Sequence, residues 1–227
     1  MYEAMRIDIH VHTSERSGCG ASSEIDQVRA AIGAGFDAVA LTDHGHLAPA
    51  EALARLNEEY APFRVFGGIE ITVDGEDVLV LGINDPRIEA GAWHYPELHT
   101  FVREGGGLLA IAHPFRYRPD VRLPLDRFPP DAIEVYSRNT PPDAASRILK
   151  LALDLDIAPL SNSDAHATDA LGQHYNALDR TPRDERELID ILKQGLFTGV
   201  VRHADGTTTE CRRGSRPRPY PPPLDRA

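Results

Sequence analysis

The chain has 227 residues, of which 41% are hydrophobic and 26% charged, and a formal net charge of −11. That length suits one barrel-sized domain better than two, and the acidic balance argues against broad electrostatic capture of long nucleic acid. No apolar run approaches the ~18 residues of a membrane span, and the N-terminal stretch lacks the basic-then-apolar layout of a secretory signal, so a cytoplasmic protein with no membrane partner is expected.

In chain order, "RIDIHV" (6–11) predicts a strand and residues 22–36 a helix, capped by Ser22 or Ser23, with Ile25, Val28, Ala31 and Ile32 on one face. "DAVALTDH" (37–44) predicts a second strand, followed by a helix over 48–60. "FRVFGGIEI" (63–71) and "EDVLVLGI" (76–83) predict two strands, followed by a helix over 95–106 with a glycine stop. "GLLAIAHP" (107–114) and "DAIEVYS" (131–137) predict the fifth and sixth strands, and residues 142–156 a helix with proline in its first turn. "IAPLSNSDAH" (157–166) predicts a seventh strand, residues 182–195 a last helix, and "FTGVVR" (197–202) a final strand. Such alternation predicts a parallel sheet flanked by helices, and this many units in one domain favour closure into a barrel. Residues 204–227 end in a Pro/Arg-rich stretch that cannot build a core, and are expected to be disordered or to hug the surface. Cys19 and Cys211 suggest neither a disulfide framework nor a zinc knuckle.

Asp8, His10 and His12 alternate with Ile7, Ile9 and Val11. Alternate side chains on a strand share a face, so an acid and two imidazoles line one face, which is costly in a core unless they are paired or ligating. Other strands end in Asp43 and His44, in Glu70, in His113, and in Asp164 and His166. In parallel barrels the carboxyl ends of the strands converge on one rim, where active sites lie, so these distant residues are expected to surround one metal centre. His46, His94, His99, His174 and His203 are expected on loops or helix surfaces, with His46 and His174 the first candidates for exceptions.

In order and spacing, "DIHVHT", "LTDHG", "GIE", "AHP" and "SDAH" resemble the PHP (polymerase and histidinol phosphatase) family, over Arg6 to about Gly199. The resemblance implies an α/β fold, a distorted (β/α)7 TIM-like barrel over residues 1–203, with its metal site at the C-terminal rim of the strands. It also implies two or three divalent ions (Mn, Zn or Fe) and phosphoesterase chemistry. Carried over by motif, His10, His12, Glu70 and Asp164 would hold a first ion. Glu70 would bridge to a second held by His113, and His44 and His166 would hold a third. Imidazole with carboxylate accommodates Zn, Mn or Fe. Two positions depart from the pattern. Ser17 and Gly18 stand where many relatives have an aspartate or histidine, leaving Glu15 as the nearest acid to replace it. Leu79 stands where many have a histidine, so fewer ions are also compatible with the chain.

The activity implied is hydrolysis of a phosphomonoester of a small metabolite or nucleotide by metal-activated water. Asp164, or His166 beside it, is the candidate to orient that water. Asp43 is expected to assist by hydrogen-bonding a ligating histidine, with Asp8, Glu134 and Asn139 as further supports. Bound cations would reverse the acidic field for such a substrate, and Arg116, Arg138 and Arg16 are candidates for its phosphate oxygens. The alternatives are a 5'-to-3' exonuclease on short oligonucleotides, a C–N or C–O hydrolase of amidohydrolase type, and a metal-binding barrel without catalysis. The amidohydrolase reading needs a carboxylated lysine on a middle strand, whereas Lys150 and Lys193 fall on predicted helices.

Overall fold

A computed structural model describes residues 5–141 and 143–216. Ten strands form one sheet in the order β10-β9-β8-β1-β2-β3-β4-β5-β6-β7. They are β1 (Met5–Val11), β2 (Ala38–Leu41), β3 (Arg64–Val73), β4 (Glu76–Leu81), β5 (Leu108–Ile111), β6 (Ala132–Tyr136), β7 (Ala158–Ser161), β8 (His174–Leu178), β9 (Phe197–Arg202) and β10 (Thr208–Cys211). The helices are α1 (Glu24–Gly33), α2 (Ala50–Glu59), α3 (Tyr95–Glu104), α4 (Ala145–Asp154) and α5 (Glu185–Gln194). None of the described helices is long and apolar enough to cross a membrane.

Pairing is parallel from β1 through β2 to β3 and from β5 through β6 to β7. It is antiparallel for β3–β4, β4–β5, β1–β8, β8–β9 and β9–β10. The expected all-parallel sheet is thus a mixed one. No helix separates β3 from β4, so the chain reverses through Asp74 and Gly75, both at positive φ, and two adjacent strands joined by a tight turn pair antiparallel. The barrel closes through side chains. Asn176 on β8 accepts from the Ser161 N–H (3.1 Å) and donates to its carbonyl (3.0 Å), imitating a neighbouring strand across the seam to β7. Ser161 Oγ donates to the Val200 carbonyl on β9 at 2.8 Å. The result is a nearly closed ten-stranded, TIM-like barrel, as expected in class but with more strands.

Three apolar clusters hold the strands. Ile7, Ile9, Leu79, Ala110 and Leu160 pack with Leu188 and Leu192 of α5. Ile69, Val80, Ile111 and Ile133 pack with α3 and α4 through Leu98, Val102, Ile148 and Leu149. Val11, Val39 and Leu41 pack with Val28 of α1 and Leu56 of α2. Ile9 and Val11 therefore belong to different clusters, and strict alternation along β1 does not hold. Its register with β2 shifts between Asp8 and Val11, the kind of local irregularity that re-aims side chains beside a functional site. The C-terminal segment begins with a strand, β10, paired to β9; most of its Pro/Arg-rich end lies outside the described residues.

His174, on β8, is buried rather than at the surface. Burial pushes its imidazole down to about 4, helped by Arg138 and His203 and opposed by Glu134. The unfolded chain protonates this residue below about 6.5 while the folded chain does not, so acid favours unfolding. Urea unfolding of metal-free protein is expected to show wild-type stability falling, relative to His174→Gln, by roughly 3 kcal/mol between pH 6.5 and 4. A pH-independent difference between the two would contradict this assignment.

Candidate metal centre

The carboxyl ends of the strands deliver the polar residues to one place. β1 supplies His10, β3 supplies Glu70, the segments after β1, β2, β5 and β7 supply His12, His44, His113, Asp164 and His166, and the amino end of antiparallel β4 adds Asp77. Backbone bonds lock these pieces together: His12 N–H donates to the Ala165 carbonyl (2.9 Å), Ala165 N–H to the His10 carbonyl (3.2 Å), and Glu70 N–H to the Asp43 carbonyl (3.1 Å). His113 and Asp164 both sit at positive φ, +24° and +52°. Such conformations cost on the order of 1–3 kcal/mol each and persist where the surroundings over-determine them. Here a bond from the His113 N–H to Glu134 Oε2 at 2.9 Å fixes the former.

Two carboxylate oxygens flank the His10–His12 pair. His10 Nε2 lies 3.1 Å from His12 Nε2, 3.3 Å from Glu70 Oε2 and 3.3 Å from Asp164 Oδ1. His12 Nε2 lies 3.2 Å from that Glu70 oxygen and 3.1 Å from that Asp164 oxygen. Two ligands that share an ion at zinc-like bond lengths stand about 3.3–3.5 Å apart, close to these separations, and the donors fall into two groups that share His10: His10, His12 and Glu70, and His10, His113 and Asp164. Glu70 Oε2 tells the same story. It is buried and lies within 3.0–3.3 Å of nitrogens on His10, His12 and His44, yet none is oriented to donate a proper hydrogen bond to it. An oxygen crowded by nitrogens that do not point protons at it is placed to share a cation with them.

Two further groups adjoin. Glu70, Asp77 and His113 have donor atoms within 4.8 Å of one another, as do His12, Cys19, His44 and His166. His113 Nε2 is 3.1 Å from Glu70 Oε1 and 4.0 Å from Asp77 Oδ2. Glu70 thus offers one oxygen to each side. The donors are therefore of the types that hold divalent ions.

The electrostatics show what a cation would replace. Burial alone would push His10 down, but Asp164, Glu70 and Glu134 outweigh it and hold the imidazole well above its usual range. His113 is likewise raised, by Glu70 and Glu134 against burial. Burial would raise Glu70 and Asp164, but the histidines around them, His10 foremost, hold both carboxyls well below the usual range. Without metal, protons on imidazoles balance the buried carboxylates; a divalent ion can take over that charge.

Supporting bonds fix the rings. His10 Nδ1 faces Glu134 Oε1 at 3.1 Å, which leaves Nε2 as the lone-pair atom toward the cluster. Glu134 is fully buried and also accepts from Asn162 Nδ2 at 2.8 Å. Losing such a partner typically costs 10–100-fold in metal affinity. Glu134→Gln is accordingly expected to weaken metal binding by about 10–100-fold, read by chelator competition. His12 Nδ1 faces Ser17 Oγ at 3.2 Å, and Ser17 donates to Asp43 Oδ1 at 2.8 Å.

The remaining expected residues divide. Arg116 stands at the cluster, its Nη1 3.6 Å from Asp164 Oδ2 and 3.5 Å from His113 Nε2. Arg138 is half exposed, 3.8 Å from Asp169. Arg16 is consumed inside the protein, donating to Asp43 (2.8 Å), Glu24 (3.0 Å) and Thr13 (3.0 Å), so it is not available to a phosphate. Asp43 has no oxygen in the donor clusters; it holds the 13–17 loop by accepting from Thr13 N–H (2.6 Å), Thr13 Oγ1 (2.8 Å), Arg16 and Ser17. Glu15 does not reach back to the cluster. It accepts from the Glu24 N–H at 3.0 Å, at the start of α1, where unpaired N–H groups attract a carboxylate. Asn139 donates to Asp164.

Sequence reasoning missed Cys19 and Asp77. Cys19 lies seven residues after His12, just beyond the positions searched for an acid or imidazole. Asp77 lies two residues before Leu79 on β4, and strand periodicity alone would have flagged it. Leu79 itself is buried among Ile7, Leu81 and Ala110. A cavity of about 570 Å³ between Arg6, Phe36, Tyr60 and Arg64 lies at the other end of the strands, away from every one of these donors.

Comparison with known proteins places the fold. A family model described as PHP-associated matches residues 142–196. A two-domain protein of Bacteroides vulgatus, containing a predicted PHP-like metal-dependent phosphoesterase, is similar with a TM-score of 0.68 and 16% identity over 86% of this chain. The match covers 64% of that protein, so this chain spans less than two thirds of it. PsfC of Pseudomonas syringae is similar with a TM-score of 0.61 and 20% identity, over 82% of this chain and 88% of that one. An amidohydrolase of Chromobacterium violaceum, with bound sulfate and no metal, is similar with a TM-score of 0.57 and 19% identity, over 71% of this chain and 87% of that one. No curated protein matches the sequence. The fold is that of PHP-like domains.

Proposed function

We propose that this PHP-like barrel is a metal-dependent phosphoesterase that hydrolyses a phosphomonoester of a small metabolite or nucleotide. The observation that carries the reading is the His10–His12 pair, each imidazole 3.1–3.3 Å from Glu70 Oε2 and from Asp164 Oδ1, with Arg116 beside it. In this reading the two histidines and two carboxylates hold one divalent ion. Glu70 bridges to a second position completed by Asp77 and His113, and His44 and His166 serve the outer end. The ions supply a nucleophile at neutral pH and neutralise phosphoryl oxygens. Arg116 takes a phosphate oxygen with a guanidinium that is only partly buried and not fully committed within the protein. Asp164, kept ionised by the imidazoles around it, is the acceptor for a proton leaving the attacking water, and Asn139 and His12 hold it in place.

An amidohydrolase-type C–N cleavage finds less support. Both lysines lie on helices, Lys150 paired with Asp154 and Lys193 with the Gly106 carbonyl, so the bridging carboxylate is Glu70 rather than a carboxylated lysine. The test is phosphate release from p-nitrophenyl phosphate, histidinol phosphate, nucleoside bisphosphates and a short oligonucleotide, using protein with measured metal content and added Mn. Release from the monoesters is expected. Fully metal-loaded protein that releases phosphate from none of them would overturn the reading.

A further inference from the structure

The outer end of the centre differs chemically from the inner end. Around Glu70, Asp77 and His113 the donors are two carboxylates and one imidazole. At the other end, the Cys19 sulfur stands with His12, His44 and His166, all four donor atoms within 4.8 Å of one another. Cys19 is exposed, but it is not carried past on a loose loop. Its segment is fixed at both flanks: Ser17 N–H donates to the Thr13 carbonyl (2.9 Å), Gly20 N–H to the Ser17 carbonyl (2.9 Å), and Ala21 N–H to the carbonyl of His166 itself (2.7 Å). At Gly20 a Cβ would stand 2.5 Å from the Thr13 backbone, so this close approach requires glycine. The loop that carries the sulfur is thereby tied to the residue that carries one of its three imidazole neighbours.

We propose that Cys19 is a metal ligand at this outer position, so that Cys19, His44 and His166 form a thiolate–imidazole site that takes zinc, next to His12, whose Nε2 faces the inner carboxylates, and beside a carboxylate-rich site at Asp77 that takes a harder ion such as manganese. This rests on the metal-centre reading above and adds a difference in ion preference between its two ends. Thiolate with imidazole is a zinc set, whereas carboxylate-rich sets suit manganese. Binding releases the thiol proton to solvent and leaves sulfur as the anionic donor.

Cobalt(II) added to the full chain reports the ligand directly. Wild type is expected to develop a near-ultraviolet sulfur-to-cobalt charge-transfer band together with visible ligand-field bands. Cys19→Ser is expected to lose the former and keep the latter, and to lose about tenfold or more in zinc affinity with manganese affinity unchanged. A second measurement needs no variant: zinc should protect Cys19 from alkylation by iodoacetamide, read by mass spectrometry, while Cys211 is buried and unreactive with or without it. Ligand-field bands without a charge-transfer band, or alkylation unaffected by zinc, would overturn the assignment of Cys19 and leave the rest of the centre standing. No cobalt binding at all would overturn both.

Discussion

Asp164→Asn is expected to keep the fold and lose the activity, with phosphate release down about 10³-fold or more, the several kcal/mol that divalent ions contribute to such reactions. The substitution isolates charge from shape. Asp164 sits at φ +52°, a conformation asparagine tolerates better than most residues, and an amide fills the same volume. What disappears is an anionic oxygen 3.1 Å from His12 Nε2 and 3.3 Å from His10 Nε2. Metal content should fall with activity, because a neutral amide is a poor ligand and also lowers the negative charge that holds His10. Asp164→Ala should lose activity similarly and lose stability as well, since alanine is strained at that φ. A fully active, fully loaded Asp164→Asn protein would remove Asp164 from the centre.

Arg116→Ala is expected to lower kcat/KM for a phosphomonoester by about 10²–10³-fold while metal content stays near wild type, comparable to the loss of one preorganised donor to a developing anion. The separation of the two readouts is the point. Arg116 approaches the cluster from its rim, within 3.6 Å of Asp164, and contributes no donor to any ion. Arg116→Lys should recover only part of the loss, because an ammonium cannot reproduce the forked, two-bond contact of a guanidinium. Unchanged kinetics in Arg116→Ala would shift the phosphate contact to Arg138, the other arginine at the rim, since Arg16 is already bound by Asp43 and Glu24.

Much of this was legible in one dimension because the information is local. Strand ends carrying His, Asp or Glu are visible as breaks in short apolar runs, and a barrel gathers such ends wherever they occur. Features that depend on a partner elsewhere were not legible. β8 was missed because its strand character rests on its pairing with β1 and β9 and on the burial of Asn176 and His174, and neither residue signals a strand alone. β10 is a four-residue edge strand, Thr-Thr-Glu-Cys, held by its pairing with β9 and by Cys211, which is buried and donates to the Pro159 carbonyl of β7. The irregularity in β1 appears only in its register with β2.

Periodicity and strand ends are properties of each segment, so the meeting of imidazoles and carboxylates at one rim is readable along the chain. His10, His12, Glu70, His113 and Asp164 needed nothing more. Which of the nearby polar residues have groups to spare emerges with the folded barrel alone. Glu15 is drawn to the free N–H of Glu24 at the start of α1, and Arg16 to Asp43 and Glu24. Cys19 and Asp77 are left facing the histidines. Hydrogen-bond competition among groups far apart in the chain settles such choices, and that competition exists only once the barrel has brought them together.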